Sequence, residues 1–526
     1  MSCIDQATLQ RHSEAVLSAV EGVVQNNYAS LSVRVQQCTI LKAPMFFHFK
    51  IDNSGSMGDE CKDGRTKMRH IIHTLSNMIR FFANSEATIF IEVCTFDDEI
   101  EEVVTPRQVT KDNFKKIIAK LDTILPRNST NIEKAIIDSN DRINSYVEKN
   151  PTHRASHVFM TDGDATCGSK SMNHLESLVD KSFPNSFIAF GINHNAELMT
   201  KLGRASEKSS NWLIEKLENA GLVYGEILNN EMYIGAEDVT ITMRGGKIYN
   251  YTTNEFVETL NINTLVTETE KNYHVDAETP AECFAVIRGK SLVTGEYFED
   301  EIQMLPDLIR KPFVVGEIIP NDLTKQMLRL RAQQLMFDVL NKNKEGQVGE
   351  YDSQMFPMLR RQNAHNGTTL FPMDTAFGFS QHDNQTPRYS VSSASTEVPG
   401  YENEGGSVAP VRDIKKELQD FQKAILSYMS GSLEDDEFLK NICDDINIAL
   451  MTMRSRNQYM YVSARQSSQG RQQTYNVSDI EIDPSILGSL TPIPMMSRTN
   501  TNSVNATPNV IRTMTQMTQG DQFGSP

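Results

Sequence analysis

Between residues 43 and 232 the sequence alternates short apolar runs with longer segments of helical periodicity. Short apolar runs bounded by polar residues indicate buried strands, and they fall at 46–52, 87–96, 100–104, 156–161, 186–191 and 212–214. The segments between them predict helices at 65–83, 111–122, 131–148, 170–181, 195–208 and 215–229. Strands that alternate with helices at this spacing need crossover connections. The sequence therefore predicts an α/β fold with a doubly wound, mostly parallel sheet over this part of the chain.

A short polar motif follows the first of these strands. Asp52, Ser54 and Ser56 come directly after the apolar run 45–51, at spacing i, i+2, i+4. The carboxyl ends of strands are where open α/β sheets bind their ligands. Carboxylate and hydroxyl oxygens are hard donors that suit a small cation such as Mg²⁺ or Mn²⁺. The same residue types also cap turns and helices, but as a set at this edge they predict part of a metal site.

Two further oxygen donors are expected at the same edge of the sheet. Thr130 lies just before the helical pattern that starts at Ile132, and Asp162 follows the apolar run 158–160. Because the carboxyl ends of parallel strands share one edge, these loops should meet there. Three aspartates on neighbouring loops are expected to form a solvated acidic rim or to act as outer acceptors: Asp97, Asp98 and Asp164.

The candidate ligands resemble the metal-ion-dependent adhesion site of the von Willebrand factor A (VWA) domain. In that site Asp-x-Ser-x-Ser is followed by a Thr and then by an Asp before Gly. The resemblance implies that Ser54 and Ser56 bind Mg²⁺ (or Mn²⁺) directly, while Asp52 and Asp162 act mostly through water. It implies that Thr130 joins when ligand is bound, and that an open coordination position attracts an Asp or Glu of a protein partner.

One departure from the family pattern lies in the loop that carries the threonine. The family usually has Gly-Gly before it, whereas this chain has Asn128-Ser129. Glycine adopts backbone conformations that other residues resist. The loop is therefore expected to be stiffer than in the family, or displaced.

The pattern changes beyond residue 232, where short strands follow one another without a helical segment. Residues 239–243 and 248–251 flank Arg244-Gly245-Gly246-Lys247 and predict a hairpin. Further strands at 263–268, 272–276, 282–288 and 296–303 predict a β-rich, sandwich-like domain. Residues 31–36 alternate apolar and polar, so they predict a strand ahead of the α/β domain. The first 30 residues are otherwise expected to be helical or loose.

These patterns divide the chain into an N-terminal segment with a strand joining the β-rich part (1–42), a VWA domain (43–232), a β-rich domain (233–304), a helical region (305–475) and a disordered tail (476–526). A disordered insertion is expected at 362–410, which is rich in Asn, Ser, Thr, Gly and Pro. The order of parts, over roughly 31–475, resembles the intracellular VWA proteins with the intein-associated "Vwaint" region.

Net charge, cysteine content and apolar runs limit the kinds of binding partner and the cellular compartment to be expected for this chain. A net charge of -17 argues against general binding to nucleic acid or to anionic membranes. Seven cysteines without a C-x-x-C pair predict neither a disulfide framework nor a zinc finger, and they favour a reducing compartment. The N-terminus does not resemble a signal peptide, and no apolar run reaches the roughly 20 residues of a membrane span. The expected location is cytoplasmic, or a virion if the protein is viral.

Together these features predict a non-enzymatic, metal-dependent protein-interaction module. Two alternatives stay open: an adaptor of a ubiquitin-ligase-type complex whose catalytic subunit is another chain, and a structural component of an assembly such as a viral particle. A hydrolase that uses Asp52 and Asp162 is disfavoured, because two-metal hydrolases need several carboxylate or His ligands for two ions.

Overall fold

The structure is a computed structural model, and it describes residues 4–11, 27–35, 43–61, 64–162, 165–191, 194–214, 220–267, 269–305, 323–342, 413–429, 436–453, 458–473 and 509–520. Within these residues the strands form three sheets. None of the helices described there is long and apolar enough to cross a membrane. The insertion expected at 362–410 lies outside the described residues.

Two N-terminal strands come before the α/β part, which runs from Met45 to Met232. The N-terminal strands are β1 (Ile4–Arg11) and β2 (Tyr28–Val35). The α/β strands are β3 (Met45–Asp52), β4 (Ile89–Phe96), β5 (Ile100–Gln108), β6 (Arg154–Thr161), β7 (Asn185–Phe190) and β8 (Ser209–Ile214). The helices between and after them are α1 (Lys67–Asn84), α2 (Phe114–Leu121), α3 (Ile132–Lys149), α4 (Met172–Ser177), α5 (Ala196–Leu202) and α6 (Ala220–Met232).

The α/β strands form a six-stranded sheet in the order β5-β4-β3-β6-β7-β8. All neighbouring pairs are parallel except β4 and β5, which are antiparallel. Every residue of the central strand β3 is buried, as expected for a parallel strand covered by helices on both faces. Phe47 on one face stacks on Phe82 of α1, with ring centroids 5.3 Å apart. This arrangement confirms the α/β class predicted from the alternation of strands and helices.

The start of α3 fixes the loop that holds Thr130. The side chain of Asn131 caps this helix by accepting a hydrogen bond from the backbone N–H of Lys134 at 3.0 Å. Ile132, Ala135 and Ile136 then bury the inner face of α3 in the core of the α/β part. Because α3 is capped and packed against the core, its N-terminus restrains the position of the preceding loop.

The β-rich part contains two antiparallel sheets. Its strands are β9 (Ile234–Arg244), β10 (Lys247–Asn250), β11 (Glu255–Val257), β12 (Thr259–Val266), β13 (Glu270–Asp276), β14 (Phe284–Ser291) and β15 (Tyr297–Gln303). One sheet has the order β1-β2-β13-β10-β11 and the other β12-β9-β14-β15. Apolar residues from both sheets share one core, among them Leu31, Val275, Ile241 and Ile287. Residues 4–11, expected to be helical or loose, instead form β1 and pair with β2.

The predicted hairpin at Gly245-Gly246 is wrong. β9 pairs with β12 and β14, whereas β10 pairs with β11 and β13 in the other sheet. The two glycines carry the chain from one sheet to the other where backbones approach closely. Gly245 has a φ of +64°, and a Cβ on Gly246 would lie 2.6 Å from the carbonyl oxygen of Asp276. The glycines therefore mark a crossing between layers, a role that sequence alone does not separate from a hairpin turn.

Helices make up the described chain beyond the sheets. They are α7 (Leu323–Lys342), α8 (Ile414–Met429), α9 (Glu437–Thr452), α10 (Gln458–Arg471) and α11 (Asn509–Gly520). Helix α11 lies in the tail expected to be disordered, yet Val510 and Met514 are part of the α/β core. A Cβ on Gly225 of α6 would lie 2.8 Å from the Cα of Ile511. The absent side chain thus lets α6 and α11 pack closely, which tail composition does not reveal.

Candidate functional site

The candidate site lies at the carboxyl edge of the parallel sheet, on its two central strands. Asp52 is the last residue of β3, and Asp162 directly follows β6, the parallel neighbour of β3. Ser54 and Ser56 lie in the loop after β3, where residues 55–58 form a short 3-10 helix. Both carboxylates and Ser54 are buried, while Ser56 is half-buried. The parallel pairing of β3 and β6 thus brings two segments that are separate in sequence to one edge of the sheet.

Four of the five predicted ligands form a continuous set of contacts. The backbone N–H of Ser54 donates to Oδ1 of Asp52 at 2.8 Å. The hydroxyl oxygens of Ser54 and Ser56 are 3.2 Å apart, and Ser56 donates to Oδ1 of Asp162 at 2.8 Å. Hydrogen-bond contacts therefore link the four residues in the order Asp52, Ser54, Ser56, Asp162.

Thr130, the fifth predicted ligand, lies on an adjoining loop. That loop is tied to the serine loop by two backbone hydrogen bonds: Gly55 N–H to the carbonyl of Asn128 at 3.1 Å, and Arg127 N–H to the carbonyl of Asn53 at 2.7 Å. Among the described residues no hydrogen bond joins the Thr130 side chain to the other four ligands. The structure therefore places Thr130, which is buried, on a loop bonded to the serine loop.

The Asn128-Ser129 departure has a physical explanation in the backbone. Asn128 has a φ of +55°, a left-handed conformation that glycine adopts freely and that asparagine tolerates better than most residues. Its side chain donates to Oδ2 of Asp97 at 3.3 Å. Asparagine thus takes the conformation for which a glycine would otherwise be favoured, and the loop stays tied to the serine loop.

Asp97 is a buried acceptor, so its assignment to a solvated rim is wrong. It accepts hydrogen bonds from the backbone N–H of Glu99 at 2.7 Å and from Nε of Arg127 at 2.7 Å, besides the one from Asn128. Burial alone would raise the pKa of Asp97, but these hydrogen bonds and the charge of Arg127 outweigh it and lower the pKa. Asp97 therefore anchors the loop that carries Thr130. Asp98 is exposed, as a rim residue would be, and Asp164 lies outside the described residues.

Asp52 is a carboxylate with little compensating charge. Its Oδ2 accepts a hydrogen bond from the hydroxyl of Thr161 at 2.6 Å. Burial raises the pKa of Asp52 to about 6, although hydrogen bonds from Ser54 and Thr161 act in the opposite direction and nearby Asp162 adds to the rise. A carboxylate in this environment is stabilised by a cation placed next to it.

A lysine reaches the same cluster from the first residue of α1. Nζ of Lys67 lies 2.5 Å from Oδ2 of Asp162 and 3.3 Å from Oδ2 of Asp59. The Lys67 side chain is 16% exposed, so this ion pair is largely shielded from water. Burial alone would lower the pKa of Lys67, but its hydrogen bonds and charge interactions with the two aspartates leave it raised.

The residues present fit a small divalent cation. All donors in the set are oxygens, which is the chemistry that Mg²⁺ and Mn²⁺ prefer. The two carboxylates carry two negative charges, which Lys67 on Asp162 partly offsets, and the two hydroxyls add no charge. A cation beside Asp52 would offset the burial that raises the pKa of this carboxyl. Asp52, Ser54, Ser56 and Asp162 could therefore hold the ion, with Thr130 beside them.

A second group of residues with metal-binding side chains lies inside the core. The ligand atoms of His48, Glu92 and Cys94 lie within 4.8 Å of one another. His48 Nδ1 is 2.8 Å from one oxygen of Glu92, and Arg142 Nη1 donates to the other at 2.8 Å. Burial raises the pKa of the Cys94 thiol to about 12, so it stays protonated. This group belongs to a buried polar network in which both oxygens of Glu92 already accept hydrogen bonds.

The same network extends along α3 to Lys50. Its ammonium, which is fully buried, lies 2.5 Å from Oδ2 of Asp138, and Arg142 Nε donates to that oxygen at 2.8 Å. Lys50 is two residues before Asp52 on β3. The network thus supports the strand that ends in the candidate site.

Sequence reasoning missed Lys67 and Thr161, whereas the role of Asp97 as an acceptor was one of its two expectations. Lys67 lies 11 residues after Ser56, in a helix whose pattern shows only its buried face. Thr161 is the last residue of a strand, where β-branched residues are common, so its sequence position does not indicate a role in the site. One available signal was the position of Lys67 at the start of a helix, where cations are disfavoured and a lysine therefore calls for a partner.

Comparison with known proteins identifies the family to which this region is similar. Residues 48–164 match the family model described as "von Willebrand factor type A domain". This stretch contains all five candidate ligands. A search of curated proteins finds no match to the chain.

Solved structures with a similar fold share little sequence with this chain. The ArnB paralog VWA2 from Sulfolobus acidocaldarius has a TM-score of 0.46 and 15% identity, covering 90% of this chain and 100% of that chain. A von Willebrand factor type A structure from Catenulispora acidiphila has a TM-score of 0.44 and 12% identity, covering 65% of this chain and 82% of that one. Proximal thread matrix protein 1 from the mussel byssus, with a zinc-occupied MIDAS motif, has a TM-score of 0.30 and 14% identity, covering 36% and 49%.

Proposed function

We propose that this von Willebrand factor A-type domain binds one Mg²⁺ or Mn²⁺ ion and uses it to bind an acidic side chain of a protein partner. The observation that carries the proposal is the continuous set of oxygen donors formed by Asp52, Ser54, Ser56 and Asp162 at the carboxyl edge of the sheet. The bound cation supplies a positive charge with an open coordination position, which a carboxylate oxygen of Asp or Glu can fill. Thr130 is the donor that the adjoining loop would add.

The residues around the set prepare it for this role. Thr161 and the backbone of Ser54 orient the two oxygens of Asp52. Asp97 fixes the Arg127–Asn128 loop through side-chain hydrogen bonds, so Thr130 is held close to the site. Such supporting contacts usually govern metal affinity together with the ligands themselves.

We propose a binding role rather than a catalytic one. Two-metal hydrolases hold their ions about 4 Å apart with several carboxylate or His ligands. The set here has two carboxylates and two neutral hydroxyls, which suits a single ion. We further propose an intracellular VWA protein with a Vwaint-like region behind the domain, located in a reducing compartment. No disulfide joins the five described cysteines, which supports that location.

Calorimetric titration of the purified protein with Mn²⁺ tests the metal site. We expect one ion per chain in the wild type and loss of binding in Asp52→Asn, a substitution that preserves the volume of this buried side chain. Ser56→Ala should weaken binding roughly 10-fold, since it removes one neutral donor. Asp98→Asn is the matched control, because it removes an exposed carboxylate outside the set. Unchanged affinity in Asp52→Asn would overturn the assignment.

Partner binding is tested once a binding protein has been identified by affinity purification in Mg²⁺ and mass spectrometry. We expect binding to be lost in EDTA, to return with Mg²⁺ or Mn²⁺, and to return poorly with Ca²⁺, which prefers longer bonds and more ligands. Replacing the partner's critical Asp or Glu should abolish binding. Binding that persists undiminished in EDTA would contradict the proposed mechanism.

A further inference from the structure

Lys67 occupies an unfavourable position in its helix, and the metal site explains why. It is the first residue of α1, where the partial positive charge of the helix N-terminus disfavours a cation. Its side chain is nevertheless largely buried, with Nζ 2.5 Å from Oδ2 of Asp162. Asp162 is itself a candidate ligand whose other oxygen accepts from Ser56. The ammonium group is thus bonded directly to the ligand set.

We propose that Lys67 is a built-in competitor of the divalent cation, an inference that rests on the function proposed above. With its ammonium on Asp162, Lys67 neutralises part of the negative charge that the cation would otherwise balance. A divalent cation and an ammonium group on the same carboxylate repel each other strongly when water is excluded. Binding of the cation therefore requires the ammonium to leave Asp162.

Asp59 provides a place for the displaced ammonium. Its Oδ2 lies 3.3 Å from Nζ of Lys67, and its carboxylate is 66% exposed. The backbone carbonyl of Asp59 also accepts from the N–H of Lys67 at 3.1 Å, which keeps the two residues together whichever carboxylate the ammonium contacts. Transfer from Asp162 to Asp59 needs only a side-chain movement. Metal binding is thereby coupled to an exchange of ion-pair partners at the rim of the site.

The decisive variants are Lys67→Met, which removes the charge but keeps an unbranched side chain, and Lys67→Arg, which keeps the charge. We expect Lys67→Met to bind Mn²⁺ roughly 10-fold more tightly than wild type, because no ammonium opposes the ion. Lys67→Arg should remain close to wild type. Calorimetric titration measures both, with Asp52→Asn as the variant that lacks the site.

Thermal unfolding gives a second test, because the stability effect of Lys67→Met should depend on Mn²⁺ only if the lysine competes with the ion. In EDTA, Lys67→Met should melt at a lower temperature than wild type, since Asp162 has lost its counter-charge. In Mn²⁺ the difference in melting temperature between Lys67→Met and wild type should become smaller or change sign, because the ion stabilises the variant more than it stabilises wild type. A variant that is less stable by the same amount in EDTA and in Mn²⁺ would contradict competition.

A double-mutant cycle tests the role of Asp59. Asp59→Asn should weaken Mn²⁺ binding more in the wild-type background than in Lys67→Met, because only the former must relocate an ammonium. Equal effects in the two backgrounds would show that Asp59 acts through its charge alone. The transfer of the Lys67 ammonium from Asp162 to Asp59 would then be contradicted. Lys67→Met that binds Mn²⁺ no more tightly than wild type, while Asp52→Asn binds none, overturns the competition but leaves the metal site. Absence of Mn²⁺ binding in wild type and Lys67→Met alike overturns both.

Discussion

The hydroxyl of Thr161 donates a hydrogen bond to Oδ2 of Asp52 over 2.6 Å, at the point where β6 ends beside β3. Thr161 is fully buried and belongs to the strand that delivers Asp162, so one strand supplies a ligand and also orients another. This contact links the two halves of the candidate site through a single proton donor.

Thr161→Val should therefore lower the affinity for Mn²⁺ although Thr161 is not a candidate ligand. Valine has the same shape but cannot donate, so Asp52 loses the bond that orients its carboxylate. Substituting a residue that is hydrogen-bonded to a metal ligand typically lowers the metal affinity by about 10- to 100-fold, and we expect a loss in that range. Calorimetry measures it, with Thr161→Ser as the control that restores the hydroxyl. Equal affinities for the valine variant and wild type would show that Asp52 needs no such support.

Removing Asp138 should destabilise the protein strongly. Lys50 is fully buried and Asp138 is its carboxylate partner, so Asp138→Ala leaves an ammonium in the core without its counter-charge. Breaking a buried pair in this way costs about 3–5 kcal/mol. Urea denaturation measures the loss. The double variant Lys50→Met/Asp138→Leu removes both charges and should recover much of the stability; a cost below about 1 kcal/mol for Asp138→Ala would contradict the importance of the pair.

Buried histidines predict a loss of stability in mild acid. Burial lowers the pKa of His157 to about 3 and that of His274 to about 3, and it holds the pKa of His48 well below the usual range. The unfolded chain binds protons near pH 6.5, whereas the folded chain does not. Stability is therefore complete above that pH and falls as the pH drops toward 3, by about 1.4 kcal/mol per unit for each histidine.

His157→Phe isolates one of these contributions, since phenylalanine suits a site already surrounded by Phe159, Phe183 and Phe187. The difference in unfolding free energy between pH 7.5 and 5.5 should shrink by about 1.4 kcal/mol in this variant. The exposed Leu125 gives the control: Leu125→Ala removes no titratable group and should keep the wild-type difference. An unchanged difference in His157→Phe would mean that His157 titrates alike in the folded and the unfolded protein.

Helix α11 should contribute to stability although it lies in a tail of low-complexity composition. Met514 is fully buried against the α/β core, so Met514→Ala should cost about 2–5 kcal/mol. Chemical denaturation measures the loss. The exposed Gln516 on the same helix is the control, and Gln516→Ala should change stability by less than about 0.5 kcal/mol. Similar effects of the two substitutions would show that α11 does not pack on the core in solution.

The contrast between α11 and the α/β strands shows which features the sequence reveals. The α/β strands repeat an apolar pattern that depends only on local residues, and the fold class and the mostly parallel sheet follow from it. The packing of α11 depends on Gly225, which lies far away in sequence and offers space rather than a signal. The Gly245-Gly246 crossing was mistaken for a hairpin because both structures need the same backbone freedom.

The candidate site shows the same division. Asp52, Ser54, Ser56 and Asp162 were predictable because each lies at the end of a strand in a recognisable motif, and the structure brings them together. Lys67 and Thr161 were not, because their roles arise from contacts across about 95 and 109 residues of sequence. A motif predicts the donors, but it carries no information about the charges and protons that the rest of the fold places beside them.

The pairing of β2 with β13 has a consequence for synthesis on the ribosome. These strands are separated by roughly 240 residues, and the whole α/β part lies between them. At translation rates of about 5–20 residues per second, β2 emerges roughly 12 to 48 seconds before its partner exists. During that interval the nascent chain exposes an unpaired strand edge, while the α/β part already has all its strands available. The order of synthesis thus favours completion of the α/β part first, with the first β-strands the segment that chaperones would need to shield.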